Sequence, residues 1–273
     1  MNSSPAALAA DRPESLIGPD DPPAYSRLNA GGRARALLLA DHASNAIPAA
    51  MNHLGLGEVP LQRHIAYDIG SRWLTERLAE RLDAPALLHG YSRLLIDPNR
   101  KLDDPTSVCV ISDGVVVPGN RDLTPEDEAL RAASFYHPYH DAVAAEIERM
   151  TDADQVPAII SMHSFTSRLR GAIRPWHIGI LWGNDGRMAV PLIDALRRDP
   201  ALSVGDNQPY SGRDMHGNTI ETHAMPRGLP NVLIEVRQDL IETRKEAIAW
   251  ADRMADPLLE ILSHPSLFHE VVA

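Results

Sequence analysis

Three observations predict an α/β fold for this chain, with a mostly parallel sheet covered on both faces by helices. Apolar runs of strand length recur at 36–41, 157–163, 177–182 and 231–236. Between them lie stretches whose apolar residues repeat at helical spacing, and strands alternating with helices imply parallel pairing through crossovers. No linker-like composition divides the chain after Gly31-Gly32, so residues 31–273 read as one domain. A chain of 273 residues is long enough for one large core.

Residues 1–30 are rich in Pro, Ala, Ser and Asp without a sustained apolar period, and are expected to form an irregular arm. After the strand at 36–41, Leu74, Leu78 and Leu82 recur every four residues and predict a helix over 68–83. ALLHGYSRLLID (86–97) reads as a second strand ending at Pro98. SVCVISDGVVVPGN (107–120) places β-branched residues around Asp113-Gly114, a hairpin dipeptide, and is the candidate lid. Thr124 offers an N-cap, Pro125 a first helical position, and Glu126 and Asp127 an acidic first turn. Pro138 is expected to kink or break that helix before a second run to about Met150. The strand at 157–163 precedes a loop with Arg168, Arg170 and Arg174, then the strand at 177–182, a helix over 186–198 and the turn-rich NQPYSGRDMHGN (207–218). The strand at 231–236 feeds a terminal helix with apolar positions Ile241, Ile248 and Ala251, until Pro257 disturbs the spacing.

The composition is 44% hydrophobic but only 5% aromatic, so the core must be built mainly from Leu, Ile, Val and Ala. A net charge of −11 argues against nucleic acid or an anionic membrane as the main partner. A local arginine cluster can still attract a small anion. The single cysteine, Cys109, excludes an intramolecular disulfide and a Cys-rich zinc knuckle, so any metal must be held by His and carboxylate. The N-terminus lacks a basic n-region and a continuous apolar h-region, and no apolar stretch is long enough for a membrane span; the expectation is a cytoplasmic protein. Neither a Gly-rich phosphate loop nor a GxSxG elbow occurs, so nucleotide-dependent and serine-hydrolase readings fall away. No internal repeat is visible, and nothing sets an oligomeric state.

Three of the predicted strands each run into a residue suited to metal-assisted hydrolysis. ALLLADHASN (36–45) delivers His42, AIISMHSF (158–165) delivers His163, and NVLIEVRQD (231–239) delivers Glu235. Carboxyl ends of parallel strands meet along one sheet edge, so two imidazoles and a carboxylate converging there suggest a zinc site with a general base. Each residue also has a bland reading. His42 can merely close a strand, and His163 can be a hydrogen-bonded core histidine. Glu235 is harder to dismiss, because a carboxylate in Val-Leu-Ile-Glu-Val is costly to bury without a partner or a role; Arg237 is a candidate partner. A third metal donor is needed, and three candidates stand open: Asp68 at the start of the next helix, Asn45 three residues after His42, and His140 in His-Pro-Tyr-His. Arg100, beside Asn99 in Asp97-Pro98-Asn99-Arg100, is the first candidate to grip a substrate carboxylate; the alternative is an ion pair with Asp97 or Asp103. Arg174 and Arg213 are weaker candidates of the same kind.

At these residues the chain resembles the N-formylglutamate amidohydrolase family, related to zinc carboxypeptidases and aspartoacylases. The resemblance covers about residues 35–245 and rests on DHASNAIP, YSRLLIDPNR, the S-x-G-x-x-x-P-G-N segment, HPYH, SMHS, NQPYSG and IEVRQDLI. It implies a three-layer sandwich of the phosphorylase/hydrolase-like kind on a mixed sheet. It also implies that SMHS carries the last histidine ligand, that IDPNR grips substrate and that IEV bears the catalytic glutamate. The HxxE of the wider superfamily is here His42-Ala43-Ser44-Asn45, which leaves the third ligand open.

The resulting expectation is a zinc-dependent amidohydrolase for a small anionic N-acyl amino acid, N-formyl-L-glutamate being the named candidate. His42 and His163 would hold the metal with Asp68 or Asn45, Glu235 would act as base, and Asn99, Arg100, Arg174 and Arg237 would bind substrate. Two alternatives remain: another acyl or peptide hydrolase on the same scaffold, and a metal-free binding protein that has kept the pocket.

Overall fold

The structure, a computed structural model, describes residues 14–153, 155–214 and 219–269. Among these, the strands in chain order are β1 (Tyr25–Leu28), β2 (Ala36–Ala40), β3 (Ala86–His89), β4 (Ile111–Ser112), β5 (Val115–Val116), β6 (Ala158–Phe165), β7 (Arg168–Leu169), β8 (Ala172–Ile173), β9 (Ile178–Leu181), β10 (Val204–Asp206) and β11 (Asn231–Arg237). The helices are α1 (Glu58–Leu61), α2 (Ser71–Leu82), α3 (Pro125–Arg131), α4 (His137–Asp152), α5 (Ala189–Leu196), α6 (Thr219–His223) and α7 (Arg244–Ser263).

Seven strands form one mixed sheet in the order β1-β3-β2-β6-β11-β9-β10. The central run from β3 through β2 and β6 to β11 is parallel, β1 and β9 join antiparallel, and β10 runs parallel to β9. Because successive side chains in a strand point to opposite faces, Leu38, Ile160, Val232 and Ile234 pack beneath α2, α5 and α7. Leu37, Leu39, Ile159 and Leu233 pack against α4 and α6 on the other side. The result is a three-layer α/β sandwich. A third cluster, including Leu54, Tyr91, Leu94, Val117 and Phe135, lies under the loops at one end.

Local sequence accounts for the helix starts. Thr124 and Asp127 form a reciprocal capping box with Pro125 inside the first turn of α3, and Thr243 with Glu246 does the same for α7. Asp113 and Gly114 both adopt positive φ between β4 and β5, as a two-residue hairpin turn requires.

Several boundaries differ from those expected. The irregular arm ends early: Tyr25–Leu28 pairs with Ala86–His89 as the sheet's edge, while residues 1–13 of that arm lie outside the described residues. The strand expected over 86–97 stops at His89. A Cβ at Gly90 would lie 2.1 Å from the Pro23 carbonyl oxygen, so the two segments cross there with no room for a side chain. The chain from Tyr91 to Arg100 then forms a loop. Pro138 neither breaks nor ends the helix, because a π-helical turn at Ala132–Tyr136 joins α3 to α4 and Pro138 sits in the first turn of α4. Ile241 precedes α7, and Pro257 is accommodated inside it. Part of the turn-rich 207–218, residues 215–218, lies outside the described residues.

The Tyr91–Arg100 loop is anchored to the hairpin segment by Arg131. This buried guanidinium donates to the carbonyls of Leu95 (2.9 Å) and Gly119 (2.7 Å) and to Asn120 Oδ1 (2.7 Å). The Asn120 amide in turn donates to the carbonyls of Leu94 and Cys109, both at 2.8 Å. At the hairpin tip, Arg63 donates to Asp113 at 2.5 Å.

His89, fully buried, has its two ring nitrogens 3.0 Å from the Tyr91 carbonyl and 3.2 Å from that of Phe135. Burial disfavours its charged form and lowers its pKa to about 4. Below its ordinary pKa the unfolded chain takes up a proton that the folded chain refuses, so this residue's contribution to stability is full above pH 6.5 and is lost as pH falls towards 4. The expected outcome is that the stability advantage of the wild type over His89→Gln, read from urea midpoints, narrows by about 2 kcal/mol between pH 7 and 5.

Candidate active site

The carboxyl ends of β2, β6 and β11 bring the chemistry-bearing residues to one cavity. β2 ends at Ala40 and delivers Asp41 and His42; β6 carries His163; β11 carries Glu235, which is the register partner of His163. The chain then returns to the same point, since the Asp68 amide donates to the His42 carbonyl at 3.0 Å. Gly70, at positive φ, starts α2 immediately afterwards; a Cβ there would lie 2.3 Å from the Ile241 carbonyl oxygen, so this tight entry needs glycine.

Asp68 Oδ2 is the hub. It lies 3.3 Å from His42 Nδ1 and 2.8 Å from His163 Nδ1, and accepts the Ser164 amide at 3.2 Å. The other nitrogen of each imidazole faces a separate carboxylate: His42 Nε2 is 2.7 Å from Asp97 Oδ1, and His163 Nε2 is 3.1 Å from Asp41 Oδ2 and 3.0 Å from Ser161 Oγ. Asp41, fully buried, also accepts from the hydroxyls of Tyr139 and Thr219, both at 2.8 Å. Asp97 is held by Arg93, whose Nε and Nη2 donate to it at 3.1 and 2.6 Å, and Arg93 Nη1 is 3.5 Å from Asp68.

Electrostatics follow from this packing. Burial opposes charge on His42 and His163, but the surrounding carboxylates outweigh it and raise both pKa values, that of His163 well above its ordinary one. Burial likewise opposes charge on Asp41, Asp68 and Asp97, yet the imidazoles, and for Asp97 the Arg93 guanidinium, hold all three carboxyl groups below the usual range. Glu235 behaves in the opposite way. It is 7% exposed, its Oε2 has no hydrogen-bond partner, and burial raises its pKa to about 7, reinforced by Asp68 and opposed by His163, His42 and Arg93.

His42, Asp68 and His163 offer ligand atoms that all lie within 4.8 Å of one another. This donor set fits a divalent metal for two reasons. With both Nε2 atoms turned to Asp97 and Asp41, both Nδ1 atoms are left to converge with the Asp68 carboxylate, the carboxylate–histidine arrangement of metal sites. With the imidazoles neutral, the buried groups carry an excess of negative charge that a cation offsets. Nitrogen and oxygen donors of this kind suit zinc.

The cavity, of about 460 Å³, is lined by His42, Asp68, His163 and Glu235 together with Arg93, Asn99 and Arg100. Three residues expected at the site are placed elsewhere. Asn45 donates its amide to the Leu61 carbonyl at 2.9 Å, because the chain turns away from the cluster after Ala43. Arg237 has its side chain on the Glu235 face of β11, but its guanidinium pairs with Asp239 at 2.7 Å and does not line the cavity. Arg174 does not line the cavity; its guanidinium is 4.7 Å from the ring centre of Tyr210, which does. His140 is also outside the donor set, with Nδ1 2.8 Å from His223 Nε2 and Nε2 donating to the Pro98 carbonyl at 2.9 Å. Arg213 lies over the Trp182 ring. Arg93 and Asp41 belong to the site without standing out in the sequence as site residues. Arg93 precedes Asp97 by four residues in YSRLLIDPNR and Asp41 adjoins His42, and those spacings were the available signals.

The fold is similar to that of gene product Atu2144 from Agrobacterium tumefaciens, with 33% identity, a TM-score of 0.87, and 91% of this chain and 98% of that one covered. It is also similar to an N-formylglutamate amidohydrolase from Ralstonia eutropha JMP134, with 18% identity, a TM-score of 0.64, and 87% and 96% covered. No curated protein matches the chain. Among the described residues no helix is long and apolar enough to cross a membrane. Residues 34–242 match the model of the N-formylglutamate amidohydrolase family, and the chain belongs to that family.

Proposed function

We propose that the protein hydrolyses the amide bond of a small N-acyl amino acid in a metal-dependent reaction, with N-formyl-L-glutamate as the reference substrate. The observation that supports this best is the union, in one cavity, of the His42–Asp68–His163 donor set with a buried glutamate whose carboxylate has a free oxygen. His42 and His163, through Nδ1, and Asp68 would hold the ion, for which zinc is the first candidate. When bound, the metal supplies Lewis-acid polarisation of the scissile carbonyl and acidifies water.

The chain's own residues do the rest. Glu235 takes a proton from the water that adds to the acyl carbon, and returns a proton to the nitrogen as the C–N bond breaks. The products are the free acid, formate for a formyl substrate, and the amino acid. Arg93, on the cavity wall, adds positive charge where the carbonyl oxygen becomes anionic. Arg100 forms no ion pair among the described residues, and its guanidinium would take the substrate carboxylate. Asn99, whose Oδ1 accepts the Thr219 amide at 3.0 Å, fixes the loop that presents Arg100.

Arg100→Ala is expected to raise KM for carboxylate substrates by roughly tenfold or more, with little change for an uncharged formamide. An equal loss on both would contradict the proposed role. The experiment that tests the reading as a whole pairs elemental analysis with formate release from N-formyl-L-glutamate before and after chelation. About one metal per chain and chelator-sensitive release are expected. A protein that stays metal-free when supplied with zinc overturns the metal-dependent reading.

A further inference from the structure

The cavity continues beyond Glu235 along β11. Leu233 and Asn231 share the face of Glu235 on that strand, and both line the cavity. Leu181 of β9 is the register partner of Leu233, and Ile220 of α6 and Met225, just after it, belong to the same apolar cluster and line the cavity as well. From Glu235 to Asn231 the strand rises about 13 Å. Along this stretch the described cavity wall is mainly apolar, an apolar pouch beside Glu235 that ends at Asn231.

Charge on the walls argues in the same direction. Among the described residues two guanidinium groups line the cavity, Arg93 and Arg100. Arg93 is engaged with Asp97 through two nitrogens and lies 3.5 Å from Asp68. That leaves Arg100 to neutralise one substrate carboxylate. With His42, Asp68 and His163 given to the metal, the remaining charged side chains on the described wall are Asp214 and Glu235, both carboxyl groups. A second substrate carboxylate placed among Leu181, Ile220, Met225 and Leu233 would lose water with no further cation among the described lining residues to replace it, a cost that a methylene chain avoids.

We infer that the preferred substrate is a monoanionic N-acyl amino acid, its one carboxylate on Arg100 and an apolar chain of several carbons lying along β11 between Glu235 and Asn231. The inference rests on the amide-hydrolase reading above and departs from the reference substrate in offering the cavity one carboxylate and an apolar chain instead of two carboxylates. The chain can belong to the amino acid or to the acyl group, and the two are separated by the choice of ligands.

The test is calorimetric binding to the zinc-supplied full-length Glu235→Gln protein, which holds ligand without consuming it. The ligands are N-formyl derivatives of glycine, L-alanine, L-norvaline and L-norleucine, with N-octanoylglycine and N-formyl-L-glutamate beside them. Each methylene that enters the pouch is expected to tighten binding about fourfold. A rise along the formyl series assigns the chain to the amino acid, and a gain confined to N-octanoylglycine assigns it to the acyl group. In either case the best apolar ligand is expected to bind at least about tenfold tighter than N-formyl-L-glutamate. Met225→Lys, which brings a cation to the pouch wall, should shift that ratio towards the dianion. A flat series, with N-formyl-L-glutamate the tightest ligand, overturns the proposal without any variant of the pouch. Absence of turnover by the wild type on every ligand would defeat the hydrolase reading instead, and the binding order would still decide this one.

Discussion

Replacing Glu235 by glutamine is expected to lower turnover of an N-acyl amino acid by roughly 10²- to 10⁴-fold while leaving metal content unchanged. The separation is possible because Glu235 stands outside the His42–Asp68–His163 donor set and has a carboxylate oxygen with no hydrogen-bond partner. A base must be ionised to act, and burial holds the Glu235 pKa near 7. Activity of the wild type should therefore rise with pH on an acid limb at or below about 7, a bound cation drawing it lower. That limb should be missing from the residual activity of the variant. Stability should move the other way. A glutamate whose folded pKa lies above its ordinary 4.5 is paying for burial at neutral pH, because the unfolded chain releases the proton more readily. Glutamine removes that cost, so the metal-free variant should unfold at the same or a higher urea concentration than the metal-free wild type. Wild-type turnover in Glu235→Gln would sink the assignment.

Asp68→Ala is expected to weaken zinc affinity by at least 100-fold and to abolish turnover with it. Asp68 Oδ2 meets Nδ1 of both histidines, and it also accepts the Ser164 amide. Its removal takes away a donor and the group that orients the other two. The His163 pKa, now held up by Asp41 and Asp68 together, should fall. Asn45→Ala is the matched control: the Asn45 amide is spent on the Leu61 carbonyl, so zinc stoichiometry by elemental analysis should remain at the wild-type level. Normal zinc binding by Asp68→Ala would show that the donor set has been wrongly drawn.

Both residues were within reach of the sequence, for different reasons. Glu235 stood out because a charge inside Val-Leu-Ile-Glu-Val breaks the period of a buried strand, and β11 is indeed buried at that position. Asp68 was one of three open donors, and only the return of the chain from 61 to 68 against the His42 carbonyl separates it from Asn45. That return depends on tertiary contacts with no local pattern. The same holds for Arg93 and Asp97, which lie on a loop where an apolar run suggested a strand; the run serves the end cluster with Tyr91, Leu94 and Ile96 rather than the sheet. The central strands were legible because each is built on an apolar run. The edge strands β1 and β10 were not, being four and three residues long with partly exposed positions.

On the proposed mechanism, the register of β6 with β11 sets when the protein can become active. His163 faces Glu235 across that pair, and a slip of one residue would turn one of them to the far side of the sheet. A nascent chain that has completed only its first half owns His42 and Asp68 but neither of their partners across the cleft. Pairings between segments this distant in sequence are slow to form. Recovery of activity after dilution from denaturant should therefore lag behind recovery of helical signal. The last event it reports is the closing of the sheet's centre.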